Sequence, residues 1–143
     1  MFLNASDGQC ATAECLRMMQ VRDHYDIVVG KRRSKQYTWR RKVISWAFNL
    51  LPVVLFGTCT YDAGSIKLVK AELLRIPLIS RGPFREAERI IRAKRRRYRI
   101  GAVTVESHPR RGGKATGARW SLVGQAMIDL LHCWWRIIIC RDS

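Results

Sequence analysis

The chain carries 27 Lys and Arg against only 11 Asp and Glu, a formal net charge of +16 at pH 7 in 143 residues. So few carboxylates constrain any compact fold, because each one set in a basic neighbourhood is a candidate for positioning a cation or accepting a proton. The apolar content is ample: 48% of residues are hydrophobic, with 10 Gly and 4 Pro, which excludes a disordered tail, a collagen-like repeat or a low-complexity linker. A chain of this length forms one domain and buries about 68 to 70% of its unfolded surface. Its basic excess points to a polyanionic partner, whether nucleic acid, anionic lipid or phosphate.

The cysteines, Cys10, Cys15, Cys59, Cys133 and Cys140, are odd in number and form no CxxC pair, and His24, His108 and His132 lack zinc-finger spacing. Reduced structural thiols are the expectation. The opening MFLNASDGQC has no basic n-region, so it does not read as a secretory signal. No run reaches the ~18 uninterrupted apolar residues of a spanning helix. The stretch 43–57 is broken by Asn49 and Pro52, and 122–140 by Gln125, Asp129, His132 and Arg136. Neither is expected to span a membrane.

Periodicity gives the order of elements. Met1 to Leu3 reads as the end of a buried strand, so the chain is expected to begin inside an element. Residues 11–22 read as a helix with Cys15, Leu16, Met18 and Met19 inward, followed by a buried strand over 25–29 that ends at Gly30. Strand, helix, strand indicates an α/β unit. A basic block over 31–42 leads into an apolar helix over 43–51 stopped at Pro52. The polar YDAGS turn precedes a short strand and a short helix. Phe84, Ala87, Ile91 and Tyr98, with Ile90 beside them, share one face of a helix whose other faces are charged. Residues 99–105 alternate as a strand, and HPRRGGKATGAR supplies a basic loop with three glycines. Residues 120–140 read as a closing helix with a wide apolar stripe, and no internal repeat is visible.

Three constellations can carry chemistry. In NASDGQ, Asp7 and Gln9 follow directly on a strand, the place where α/β sheets gather ligands, and offer oxygens to a hard divalent cation. The competing reading is an Asx turn capping the next helix. Arg32, Arg40, Arg110, Gly113 and Lys114 belong to two basic segments able to close over a diphosphate, for which the planar arginine fork is suited. A solvated charged face, or the backbone of a nucleic acid, accounts for the same residues. Asp62 with Ser65 and Lys67, and Glu86 with Glu88, are carboxylates among cations. Glu86 and Glu88, two apart on a helix, diverge, so at most one points into a site. Either can also serve as an acid at a helix N-terminus.

The ordered set LNASDGQC, YDIVVGKRR, the arginines before ISWAFN, YDAGSIKL, FREAERIIRA, YRIGAVTV and HPRRGGK resembles family 2 glycosyltransferases, most closely the polyprenyl-phosphate and dolichyl-phosphate sugar transferases. The likeness covers residues 1–119 and corresponds to the later part of the catalytic domain, with 120–143 as an appended amphipathic helix. It implies an α/β, GT-A-like (Rossmann-like) fold, N-terminally incomplete. It also implies inverting transfer of a sugar from a nucleotide sugar with Mg or Mn. Asp7 and Gln9 match the second and last places of the family's metal motif, while Ala5 stands where the first acid belongs. Arg32 and Arg110, with Gly113 behind the latter, match diphosphate or acceptor-phosphate contacts. Asp62 matches a substrate-site acid and Glu88 the acid opening a Glu-x-x-x-Arg-Ala helix.

What the resemblance implies chemically follows from charge. A metal and arginines neutralise the diphosphate as it leaves. A polyprenyl phosphate, with a second pKa near ~6, is already ionised near neutrality and needs no base. A hydroxyl acceptor requires one, and Asp62 is then the candidate. The family's nucleotide-base pocket precedes the metal motif, so the chain by itself is expected to bind nucleotide poorly. Trp134, Trp135 and the apolar residues around them, flanked by Arg136 and Arg141, read either as an interfacial helix on an anionic membrane or as a helix packed on its own core. The expected location is cytoplasmic, peripheral on the membrane face. The rival function, from another class, is a non-catalytic basic module that binds nucleic acid or membrane.

Overall fold

The computed structural model of the chain describes residues 1–3, 12–33, 39–61, 64–106 and 120–140. It is a mixed α/β fold built on a four-stranded open sheet. The chain runs through β1 (Phe2–Leu3), α1 (Thr12–Gln20), β2 (Ile27–Arg32), α2 (Trp39–Phe56), β3 (Lys67–Val69), a 3-10 turn (Ala71–Arg75), α3 (Arg85–Arg95), β4 (Ile100–Val105) and α4 (Trp120–Trp134). A π-helical turn (Trp135–Ile139) continues α4. The strand order is β1-β3-β2-β4. β3 is antiparallel to both neighbours, pairing Leu3 with Lys67 on one side and Val29 with Lys67 on the other. β2 and β4 run parallel from Ile27 opposite Ile100 to Arg32 opposite Val105.

The alternation of β2 decides the layers. Ile27 and Val29 point to one face and join Val69, Leu73, Ile76, Ile90 and Ala93 beneath α3 and the 3-10 turn. Val28 points to the other and meets Met18 of α1 with Ile66 and Val105. Because both faces are covered, the strand is apolar on successive residues. A third cluster lies on the far side of α3, where Phe84, Ala87 and Ile91 meet Leu130, Cys133 and Ile137 of the last helix, with Phe48, Leu51 and Leu55 of α2 against them. Helix α3 is therefore a middle layer between the sheet and the pair α2 and α4.

Several sequence expectations are corrected. β2 does not end at Gly30 but continues to Arg32, because β4 supports its whole length. Gly30 is required there: a Cβ would stand 2.7 Å from Ile66 Cγ2. In α1 only Met18 is fully buried and Cys15 partly. Leu16 and Met19 face solvent, while Glu14, one turn before Met18, is buried instead. Helix α2 does not stop at Pro52 but runs four residues further, to Phe56. The lost backbone bond is offset by packing Leu55 and Phe56 into the outer cluster. Cys15, Cys59, Cys133 and Cys140 form no disulfide. Burial pushes Cys133 up to about 12, which keeps it protonated and inert.

Trp120–Ile139 is, by length and composition, long and apolar enough to cross a membrane, although the sequence reading excluded a span. Its Leu130 and Ile137 are nevertheless fully buried against the fold, and Asp129 accepts the backbone N–H of Gly82 at 3.1 Å.

Helix α3 ends in a Schellman turn. Tyr98 N–H donates to Ala93 O and Arg97 N–H to Lys94 O, which sets Arg97 at φ 63°. A side chain at this left-handed position strains the backbone. Arg97→Gly is expected to raise stability by about 0.5 to 1 kcal/mol, read as a higher denaturant midpoint at unchanged slope.

Candidate functional site

The register brings the ends of three strands and the start of a fourth to one side of the sheet. Since β1, β2 and β4 are mutually parallel, all three finish on the same side, at Leu3, Arg32 and Val105, and the chain enters β3 from that side through Gly64, Ser65 and Ile66. Carboxyl ends of strands in open α/β sheets are where ligands bind, because loops there carry donors that the sheet itself holds fixed. Asp7 and Gln9 follow β1 in the sequence, Asp62 precedes β3, and Arg110, Gly113 and Lys114 follow β4. These six lie outside the described residues.

Arg32 closes β2 on the face shared with Val105. Its guanidinium Nη2 stands 3.8 Å from where a Cβ on Gly64 would be. The YDAGS turn therefore borders Arg32, two segments that the sequence separates by some thirty residues. Tyr61, which leads into that turn, has φ 52° while its ring packs on the core beneath α3. A left-handed tyrosine persists only where surrounding packing over-determines it.

On the opposite face of the same end, Lys67 of β3 is buried. Its Nζ donates to the Ser65 carbonyl at 3.1 Å and lies 3.5 Å from Glu86 Oε2. Arg89 Nε lies 3.7 Å from the same oxygen, while its Nη1 donates to Leu73 O at 3.1 Å. Glu86 keeps a third of its side chain exposed. Two cations therefore share one partly exposed carboxylate, and the sequence, which singled out Lys67 and Glu86 separately, gave no sign that they meet. Among the described residues no group of three or more His, Cys, Asp or Glu gathers as a metal site.

Glu88, the acid that opens the family-like helix and a candidate catalytic carboxylate in the sequence, is engaged within the fold. It is fully buried and accepts the backbone N–H groups of Ile79 and Ser80, at 3.0 and 2.8 Å, and Arg92 Nε at 2.7 Å. Burial disfavours the charge, but these donors outweigh it and hold the carboxyl below the ordinary glutamate range. With both oxygens committed and no solvent access, it ties the 79–80 segment to α3. Arg40 sits exposed in the first turn of α2, its guanidinium 5.5 Å from the Trp39 ring centroid. Arg32 and Gly64 are thus brought together, whereas Glu88 is committed to the fold.

Asp26 was not singled out in the sequence, although an acid directly before an apolar strand is its visible signal. It sits at the amino end of β2 and binds Lys70 Nζ at 2.5 Å and the Arg99 backbone N–H at 2.7 Å, joining the ends of three strands. The Lys70 bond first, and Arg99 after it, hold this carboxyl below its usual range. Asp26 lines a cavity of about 380 Å³ with Arg22, Tyr25 and Leu68, at the end of the sheet away from the basic segments. Its polar groups are committed to strand pairing, so the physical case for a site rests on the carboxyl end.

No family model and no solved structure matches the chain.

Glu88 and Asp26, both lowered, stabilise the fold fully above their ordinary values of 4.5 and 3.8, and the contribution is lost as pH falls through the lower folded values. Glu88→Gln is expected to cost about 3 kcal/mol at neutral pH, because it removes the buried charge opposite Arg92 and turns an amide NH2 toward donors that the second carboxylate oxygen accepted. Thermal unfolding from pH 7 to pH 3 checks this: the variant should lose less stability on acidification than the wild type.

Proposed function

We propose that residues 1–119 form the later part of a GT-A-like glycosyltransferase domain that moves a sugar from a nucleotide donor to a polyprenyl phosphate. The observation that carries the reading is the convergence of strand ends. Three parallel strands finish, and the YDAGS turn enters, at one end of the sheet beside the Arg32 guanidinium. Each segment of the family-like set outside α3 either belongs to that end or adjoins it in the sequence.

In this reading Arg32 stabilises the charge that grows on the diphosphate as the sugar–phosphate bond breaks. Its rigid placement at the end of a paired strand removes the need to reorganise during the reaction. A divalent ion, Mg or Mn, held by Asp7 and Gln9, would supply further neutralisation. Arg110, Gly113 and Lys114 receive the acceptor phosphate, whose ionised oxygen attacks the anomeric carbon from the face opposite the leaving group and inverts it. No general base is needed for such an acceptor, and Asp62 acts as one only toward a hydroxyl. Glu88 is a positioning residue: it fixes the segment between the 3-10 turn and α3, and through α3 the Lys67–Glu86 contact.

Calorimetric titration with inorganic pyrophosphate and Mn tests the reading. Arg32→Ala is expected to weaken binding about tenfold or more, since a charge-assisted contact contributes on the order of 1.5 to 3 kcal/mol, while Arg40→Ala changes it little. Pyrophosphate binding that Arg32→Ala leaves intact would sink the assignment.

A further inference from the structure

We propose that the outer face of α2 is a docking surface for an anionic lipid bilayer, laid in the headgroup region with the carboxyl end of the sheet close by. The inference goes beyond the transfer reading and stands on observations that reading does not use. Trp39, Val43, Trp46, Leu50 and Val53 recur at alternating spacings of four and three and so form one stripe along the helix. All five are exposed, Trp39 by 71% and Trp46 by 65% of their surface. The other side of the same helix already buries Phe48, Leu51 and Leu55 against the outer cluster. A helix apolar on both sides has one more apolar surface than its own fold can cover.

Charge decides the occupant. The stripe contains no acid, and its first turn carries exposed Arg40 and Lys42 beside Trp39. A second copy of the chain would bring another +16 against the first and is repelled, whereas anionic headgroups are attracted. A polynucleotide would satisfy the charge and leave the tryptophans in water. Indole rings are most stable at the boundary between headgroups and acyl chains, with basic side chains above them. Helix α4 also exposes Trp120 and Trp135, but Asp129 ties it to the Gly82 backbone as a layer of the fold. Trp39 stands seven residues after Arg32, so the stripe begins within about 25 Å of the end of β2.

Flotation on phosphatidylglycerol-rich vesicles, with phosphatidylcholine vesicles as comparison, provides the test. The wild-type chain is expected to float with the anionic vesicles, with tryptophan emission shifted to the blue and quenched by brominated acyl chains. The double variant Trp39→Ser, Trp46→Ser should bind about tenfold more weakly with an unchanged circular dichroism spectrum, and Trp135→Ser much less so. Binding that survives the α2 double variant, or that Trp135→Ser abolishes instead, overturns the proposal. So does a dimer in sedimentation that the α2 variant dissolves, because the stripe would then be a self-interface. The vesicles contain neither polyprenyl phosphate nor nucleotide, so failure to float leaves the transferase reading standing, and loss of pyrophosphate binding leaves this one standing.

Discussion

A single buried carboxylate holds the layers in relation to one another. Glu88 lies inside α3, the helix that touches the sheet on one side and α2 with α4 on the other. It gathers two backbone donors from the segment ahead of the helix and the Arg92 guanidinium one turn on. Without those donors an ionised group at zero exposure would be untenable. The pair therefore makes the approach to α3 obligatory, and with it the position of Glu86 over Lys67 at the carboxyl end of β2.

The two ends of the sheet are used differently. At the amino end Asp26 neutralises Lys70 and accepts the Arg99 backbone, so its charges cancel in pairs and lock strand ends together. At the carboxyl end Arg32 adjoins a glycine-bearing turn, and two cations, Lys67 and Arg89, share the one carboxylate of Glu86. A chain with 11 acids cannot neutralise both ends. Lys94 to Arg97 and Arg99 stand exposed where α3 leads into the amino end of β4, and the outer tryptophans of α2 face water.

Much of the fold was legible because its periods are strong. The alternation of β4 predicts that strand to within a residue, whereas the helix read through Tyr98 stops at Arg95, because the Schellman turn at Arg97 ends α3. What periodicity could not convey was that α3 is covered on both sides. Its charged face, read as solvated, holds Glu88, Arg89 and Arg92 in the interior, and seven successive residues from Ala87 to Ala93 are buried. Pro52 misled for a related reason, since local chemistry says stop while burial of Leu55 and Phe56 favours continuing. The candidate site was legible as a set of segments, and Arg32 beside the YDAGS turn is the one junction the described residues supply. The other predicted contacts, at Asp7, Gln9, Asp62, Arg110, Gly113 and Lys114, fall outside them.

By itself the sequence determined the α/β class, the order of elements and the excess of positive charge, because hydrophobic period and charge count are local or additive properties of a chain. Only the tertiary structure decided that β3 inserts between β1 and β2, that β2 extends past Gly30, that Glu86 rather than Glu88 keeps contact with solvent, and that α2 presents tryptophans outward. Each of these depends on which surface a residue meets across the fold, and strand pairing and layer packing set that meeting between segments far apart in the chain.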